Sequence, residues 1–259
     1  MKKTIIISTT FAALALASQI ASATCDDIAA SFTPSVFASI GNPNNGGYGL
    51  PMWVAAVDET GKVCAVVNTA GSGATIGNKS WLGSRVVAAQ KASSANAFSL
   101  DIFSIATTNL YGLTQPGGSL FGLQQSNPVD ASIAYLGSAD AFGTLNDPLV
   151  GKRIGGVNVF GGGLALYNKA GIKVGAIGVS GDTSCTDHAV AWQIRAALKL
   201  DHVPGGFVSG YEPKPGFAVK GDEMIIGKGD VQNTYKQVSC AHNKISDPIA
   251  GPTTGVIKE

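Results

Sequence analysis

Residues 163–179 read GLALYNKAGIKVGAIGV. Two apolar, strand-forming runs, Gly163 to Asn168 and Ile172 to Val179, flank Lys169-Ala170-Gly171, a short hairpin loop whose glycine suits a positive φ. The same design stands earlier, where Trp53 to Asp58 (WVAAVD) and Lys62 to Asn68 (KVCAVVN) flank Glu59-Thr60-Gly61. Hairpins impose antiparallel pairing, which separates this chain from parallel, Rossmann-type folds. The expected fold is therefore α+β, an antiparallel sheet built from hairpins with helices packed on it.

Two segments supply the helices. Between the hairpins, Ser80 to Phe98 places Val86, Ala89 and Ala97, and Trp81, Ala88 and Ala92, near helical spacing, with small residues that permit close packing. After the second hairpin, Asp182 or Thr183 caps a helix running to about Leu200, whose Val190, Ile194 and Leu198 form an i, i+4 row. Tyr111 to Gly151 is rich in Gly, Pro, Ser and Asn and reads as long loops with isolated turns. From Gly205 to Glu259 the same chemistry returns, and the expectation is a tail tied back by Cys240 to a core of about residues 50–204.

At the start of the chain Lys2 and Lys3 precede an uncharged apolar run, Ile5 to Ala17, and then Ala21-Ser22-Ala23. That order is an export signal cut after Ala23, and the run is shorter than the ~20 residues that span a bilayer. The expected product is one domain from Thr24 to Glu259, periplasmic or secreted, without membrane insertion. Losing two lysines takes Lys plus Arg from 18 to 16 against 17 Asp plus Glu, a side-chain charge of −1. Bulk charge of that size gives nucleic acid nothing to hold. Cys25, Cys64, Cys185 and Cys240 all lie beyond the cut, and an even count in an oxidising compartment favours two disulfides. Three pairings exist on sequence grounds, with Cys25–Cys64 and Cys185–Cys240 preferred. No C-x-x-C spacing supports a metal site instead.

The pieces Lys91-Ala92-Ser93-Ser94-Ala95 with Phe98, Pro116-Gly117-Gly118 with Leu120, Ile154-Gly155-Gly156-Val157, and above all Gly175 to Ala191 (GAIGVSGDTSCTDHAVA) resemble the GlcG/HbpS-like family over about Leu50 to Pro204. The sequence departs from it at Asn42 to Gly49 (NPNNGGYG), which is not helical interior, and at Asn68-Thr69-Ala70-Gly71. The resemblance implies symmetric homo-oligomers and haem, or a similar small anionic ligand, as partner and cofactor. Gly178-Val179-Ser180-Gly181-Asp182 is not a nucleophile elbow, because Asp182 stands where G-x-S-x-G needs its last glycine.

A strand-to-helix turn at Ser180, Gly181, Asp182 and Thr183 presents backbone N–H groups at a helix start, where a propionate can be received. Lys91 and Arg195 are the cations expected to join it, although solvated helix faces explain these two, Arg85 and Arg153 more plainly. His188, in the first turns of that helix, is the expected haem-iron ligand: the positive helix end disfavours its protonation and keeps a ring nitrogen available. His202 and His242 are expected on the surface. Enzyme activity needs a converging acid, base or nucleophile, and none assembles from neighbouring positions. Haem or small-ligand binding leads, ahead of a structural or sensory oligomer without ligand and of a haem-degrading enzyme.

Overall fold

The computed structural model describes residues 24–32, 47–206, 208, 221–226, 236–237, 253 and 255–258. Both hairpins form where the apolar runs place them. Strands β1 (Trp53–Asp58) and β2 (Val63–Asn68) pair antiparallel, as do β3 (Gly163–Tyr167) and β4 (Lys173–Ser180). Gly61 and Gly171 turn the loops with φ of 79° and 76°. β1 also pairs antiparallel with β4, Trp53 opposite Ser180 and Val57 opposite Ala176, so the sheet order is β2-β1-β4-β3.

This sheet is covered on both faces, which is why WVAAVD is apolar almost throughout instead of alternating with polar residues. Trp53, Ala55 and Val57 point to one side, against helix α2 (Gly83–Phe98); Val54 and Ala56 point to the other. There helix α1 (Cys25–Ser31) contributes Ile28, and helix α3 (Ser184–Ala197) contributes Val190, Ala191, Trp192 and Ile194. The close approach of α2 depends on what is missing from its contacts. Ala88, Ala89 and Ala92 are fully buried on it, and a Cβ at Gly178 in β4 would overlap the carbonyl oxygen of Ala88 and sit 2.6 Å from the nitrogen of Ala92.

α2 starts at Gly83, three residues later than the expected Ser80. Trp81 lies before it and is 58% exposed, and Ala97 faces solvent, so neither is part of the buried stripe. α3 ends at Ala197, a few residues short of Leu200, with its 190/194/198 row against the core as expected. α1 was not expected. Its start is written in Thr24-x-x-Asp27, where the Thr24 hydroxyl accepts from the Asp27 N–H (3.3 Å) and the Asp27 carboxylate accepts from the Thr24 N–H (2.9 Å). A disulfide between Cys25 and Cys64 ties α1 to β2, with Cα atoms 4.9 Å apart. Cys185 is disulfide-bonded as well, while Cys240, its expected partner, lies outside the described residues. Residues 1–23 lie outside them too, and no helix among the described residues is long and apolar enough to cross a membrane.

From Tyr111 to Gly151, where the composition implies long loops with isolated turns, the chain makes short 3₁₀ turns, single helical turns and one isolated bridge, Val129 to Gly155. The tail is more ordered in its pairing than expected: β5 (Met224–Ile226) pairs parallel with β6 (Lys236–Gln237) and with β7 (Val256–Lys258). Met224 and Val256 of this small sheet pack on Cys185 and Ala189 of α3.

Candidate functional site

The turn from β4 into α3 is built by its own polar side chains. Thr183 is the N-cap, its hydroxyl accepting from the Thr186 N–H (3.3 Å). The Asp182 carboxylate accepts from the N–H groups of Thr183 (2.7 Å), Tyr48 (2.9 Å) and Leu50 (3.1 Å), so it pins residues 48–50 over the helix start. Ser180 is buried in the β1 ladder, and Gly181 runs so close to Pro51 and Met52 that a Cβ would press on their backbone. The anion-receiving corner expected here is thus already occupied by the chain itself, through an internal carboxylate.

Lys91 does reach this corner. From α2 its Nζ passes beyond the sheet and donates to the Asp187 carboxylate (2.8 Å) and to the Val179 carbonyl (2.9 Å), with both side chains buried. The other Asp187 oxygen accepts from the Asp182 N–H at 3.0 Å. Burial pushes the Asp187 carboxyl up to about 6 against the pull of Lys91, and burial likewise holds the Lys91 ammonium below its ordinary value. Lys91 is therefore a bolt between the layers and not a solvated helix face. The same correction applies to Arg85, which grips Asp147, and to Arg195, which grips Asp222; all three cations are buried.

Arg195 does not join the corner. Twelve residues separate it from Thr183, about 18 Å along a helix axis. It belongs instead to a stripe on α3 with His188 and Trp192, at spacings of four and three, which put the three side chains on one helix face. The guanidinium of Arg195 lies 4.6 Å from the Trp192 ring, and the His188 and Trp192 ring centroids are 5.9 Å apart. Trp192 is 6% exposed and His188 and Arg195 are 0% exposed.

The tail closes over this stripe. His188 Nε2 meets the Gly255 carbonyl at 3.1 Å, and Asp222 takes Arg195 bidentately, at 2.5 and 2.9 Å, while accepting from Ser104 at 2.8 Å. Burial pushes the Asp222 carboxyl up, but Arg195 and Ser104 outweigh it and hold it low. A carbonyl only accepts, so the His188 proton sits on Nε2 and Nδ1 carries a lone pair; that buried Nδ1 has no hydrogen-bond partner. Burial lowers the imidazole to about 4, so it is neutral; the main cause is burial, where the sequence suggested the helix dipole. His202 is exposed, and His242 lies outside the described residues.

Asp222, Gly255 and Ser104, which complete this stripe, were not legible in sequence. Asp222 is 27 residues from Arg195 and Gly255 is 67 from His188, with no periodicity linking them. The group Cys25, Asp58 and Cys64 also converges, but its two sulfurs are bonded to each other and do not ligate a metal.

No curated protein matches this chain. Among solved structures, a PduOC:heme complex is similar at 24% identity over 63% of this chain and 89% of that one, with a TM-score of 0.42. The Klebsiella pneumoniae protein ORFY, of the DUF336 family, is similar at 20% identity over 76% of this chain and 96% of that one, with a TM-score of 0.43. The family model described as haem degrading protein HbpS-like matches residues 44–196, which takes in the four-stranded sheet, α2 and nearly all of α3. Since that match covers more than half of its 259 residues, the chain belongs to the HbpS-like family.

Proposed function

We propose that this protein is exported and binds haem, or a related flat anionic ligand, with His188 as the iron ligand. The observation that carries the reading is the state of the His188 ring. It is a neutral imidazole beside the Trp192 ring whose buried Nδ1 carries an unshared pair with no hydrogen-bond partner, the state that an iron-ligating histidine needs. Trp192 and Arg195 on the same face supply an aromatic surface and a carboxylate receptor, which suit a porphyrin and its propionates. Bound there, haem would supply the iron chemistry; the residues of this chain orient the ring and exclude water. Membership of the HbpS-like family supports the ligand class. Export is supported by the basic, apolar and small-residue order of residues 2–23.

Self-association belongs to the same proposal. Trp192 is buried within the chain, so the apolar surface available for it is drawn from the exposed large side chains among the described residues, of which Leu145, Ile102, Phe121, Leu100 and Trp81 are the most exposed.

Titration with haemin tests the ligand. Wild-type protein is expected to develop a shifted Soret band, and His188→Ala to lose that shift and bind at least tenfold more weakly, while His202→Ala and His242→Ala keep it. Unchanged spectra in His188→Ala reject the ligand assignment. Absence of any binding by the wild type, in a titration that works for a control haem protein, favours a scaffold without ligand.

A further inference from the structure

Along the His188–Trp192–Arg195 stripe the tail covers each side chain, and on Trp192 and Arg195 it does so with groups a flat anionic ligand would bring. The Gly255 carbonyl takes the imidazole N–H. The backbone at Gly255 lies flat on the indole, so close that a Cβ there would overlap the Trp192 ring. The Asp222 carboxylate takes the guanidinium in the two-pronged manner of a propionate. We propose that the described tail residues, Gly221–Ile226 and Gly255–Lys258, are a cover that closes the α3 groove by imitating its ligand, and that binding at His188 requires this cover to lift. The proposal rests on the haem-binding reading for the ligand it admits, but its closure is separately measurable.

Two further observations separate the cover from the core. Four buried side-chain polar atoms among the described residues lack a hydrogen-bond partner, and two of them, His188 Nδ1 and Arg195 Nε, belong to the side chains that the tail covers, so the closed state leaves this stripe incompletely satisfied. The cover is also a unit in its own right. Its two strands, β5 and β7, are three residues long each and pair in parallel, and while Met224 and Val256 pack on α3, Ile225 and Ile257 form a small cluster with Val208 apart from the main core. Short parallel strands with a private cluster are the kind of element that opens without global unfolding.

The test uses the full-length chain. Gly255→Val places a side chain against the indole and at a φ of 62°, which lifts the cover while leaving Arg195 and Asp222 both present. Asp222→Asn, which keeps the shape and removes the charge, is the second variant. Two quantities are read: the rate at which diethyl pyrocarbonate acylates His188, with exposed His202 as internal reference and circular dichroism to establish folding, and haemin affinity. In at least one folded variant, His188 is expected to be acylated at least tenfold faster than in wild type and haemin to bind at least tenfold tighter. His188 protected as in wild type in both folded variants overturns the cover, as does freed His188 with haemin affinity equal to that of wild type. If His188 is freed and haemin binds to no form of the protein, the cover stands as a closure and it is the haem reading that fails.

Discussion

Replacing Lys91 by methionine is expected to cost about 3–5 kcal/mol at pH 7, because it strips the partner from a buried carboxylate and leaves Asp187 with only the Asp182 N–H. The loss is expected to depend on pH in a way that simple loss of packing does not. With Lys91 in place, the folded Asp187 carboxyl sits at about 6, above the ordinary 3.8, so the folded state holds its proton more tightly than the unfolded chain does. A group with a raised folded value contributes stability that is fully present below the unfolded value and is lost as pH rises through the folded one. For Asp187 that window runs from about pH 4 to about pH 6. Removing the Lys91 charge removes a downward pull and raises the carboxyl further. The penalty of Lys91→Met relative to wild type should therefore shrink between pH 7 and pH 5, where Asp187 is largely neutral in both proteins. Urea denaturation at the two pH values measures it. Equal losses at both would show that the bolt acts through packing alone, and the double variant Lys91→Met/Asp187→Leu is expected to regain part of the stability at pH 7.

Asp147→Ala is expected to cost a similar amount, about 3–5 kcal/mol, at the pair it forms with Arg85 nearer the start of α2. Arg85 is fully buried, stacks on the Phe142 ring 3.7 Å from its centroid, donates from Nη1 to the Ala134 carbonyl at 3.2 Å, and offers Asp147 the one edge of its guanidinium formed by Nε and Nη2. Asp147 also accepts from the N–H groups of Gly143 (2.8 Å) and Leu149 (2.9 Å), so a single carboxylate organises the loop between 134 and 149. Its removal leaves a buried cation with one carbonyl for a partner and two backbone donors with none. Chemical denaturation should show the loss, and protease should cut within 134–149 in the variant before it cuts elsewhere. Arg85→Lys, with Asp147 in place, is expected to be nearly as costly, since an ammonium does not present the two parallel N–H groups that this carboxylate accepts. A loss of less than about 1 kcal/mol in Asp147→Ala would mean that water enters the corner and replaces the pair.

Local features carried the sheet and both covering helices. Glycine-ended loops between apolar runs announce hairpins, and Thr183 followed by the Val190, Ile194, Leu198 row announces a capped helix, because turn and period are properties of neighbours in the chain. The helix α1 was equally legible in Thr24-x-x-Asp27, a capping box in the first residues after the expected cut. The burial of the cations was illegible for the opposite reason. Arg85, Lys91 and Arg195 find their carboxylates 62, 96 and 27 residues away, and a charge on a small-residue helix looks solvated until the other layer is in place.

The sequence by itself determined an antiparallel sheet of two hairpins, helices on it, and a histidine at the start of the second long helix, because each follows from spacing within a few turns of chain. Only the tertiary structure decided what that histidine faces. The anion-receiving corner is filled by Asp182 and by residues 48–50, and the His188 face is covered by Gly255 and Asp222. Those contacts join segments with no shared period, and the order of a chain records no distance between residues that meet only after folding.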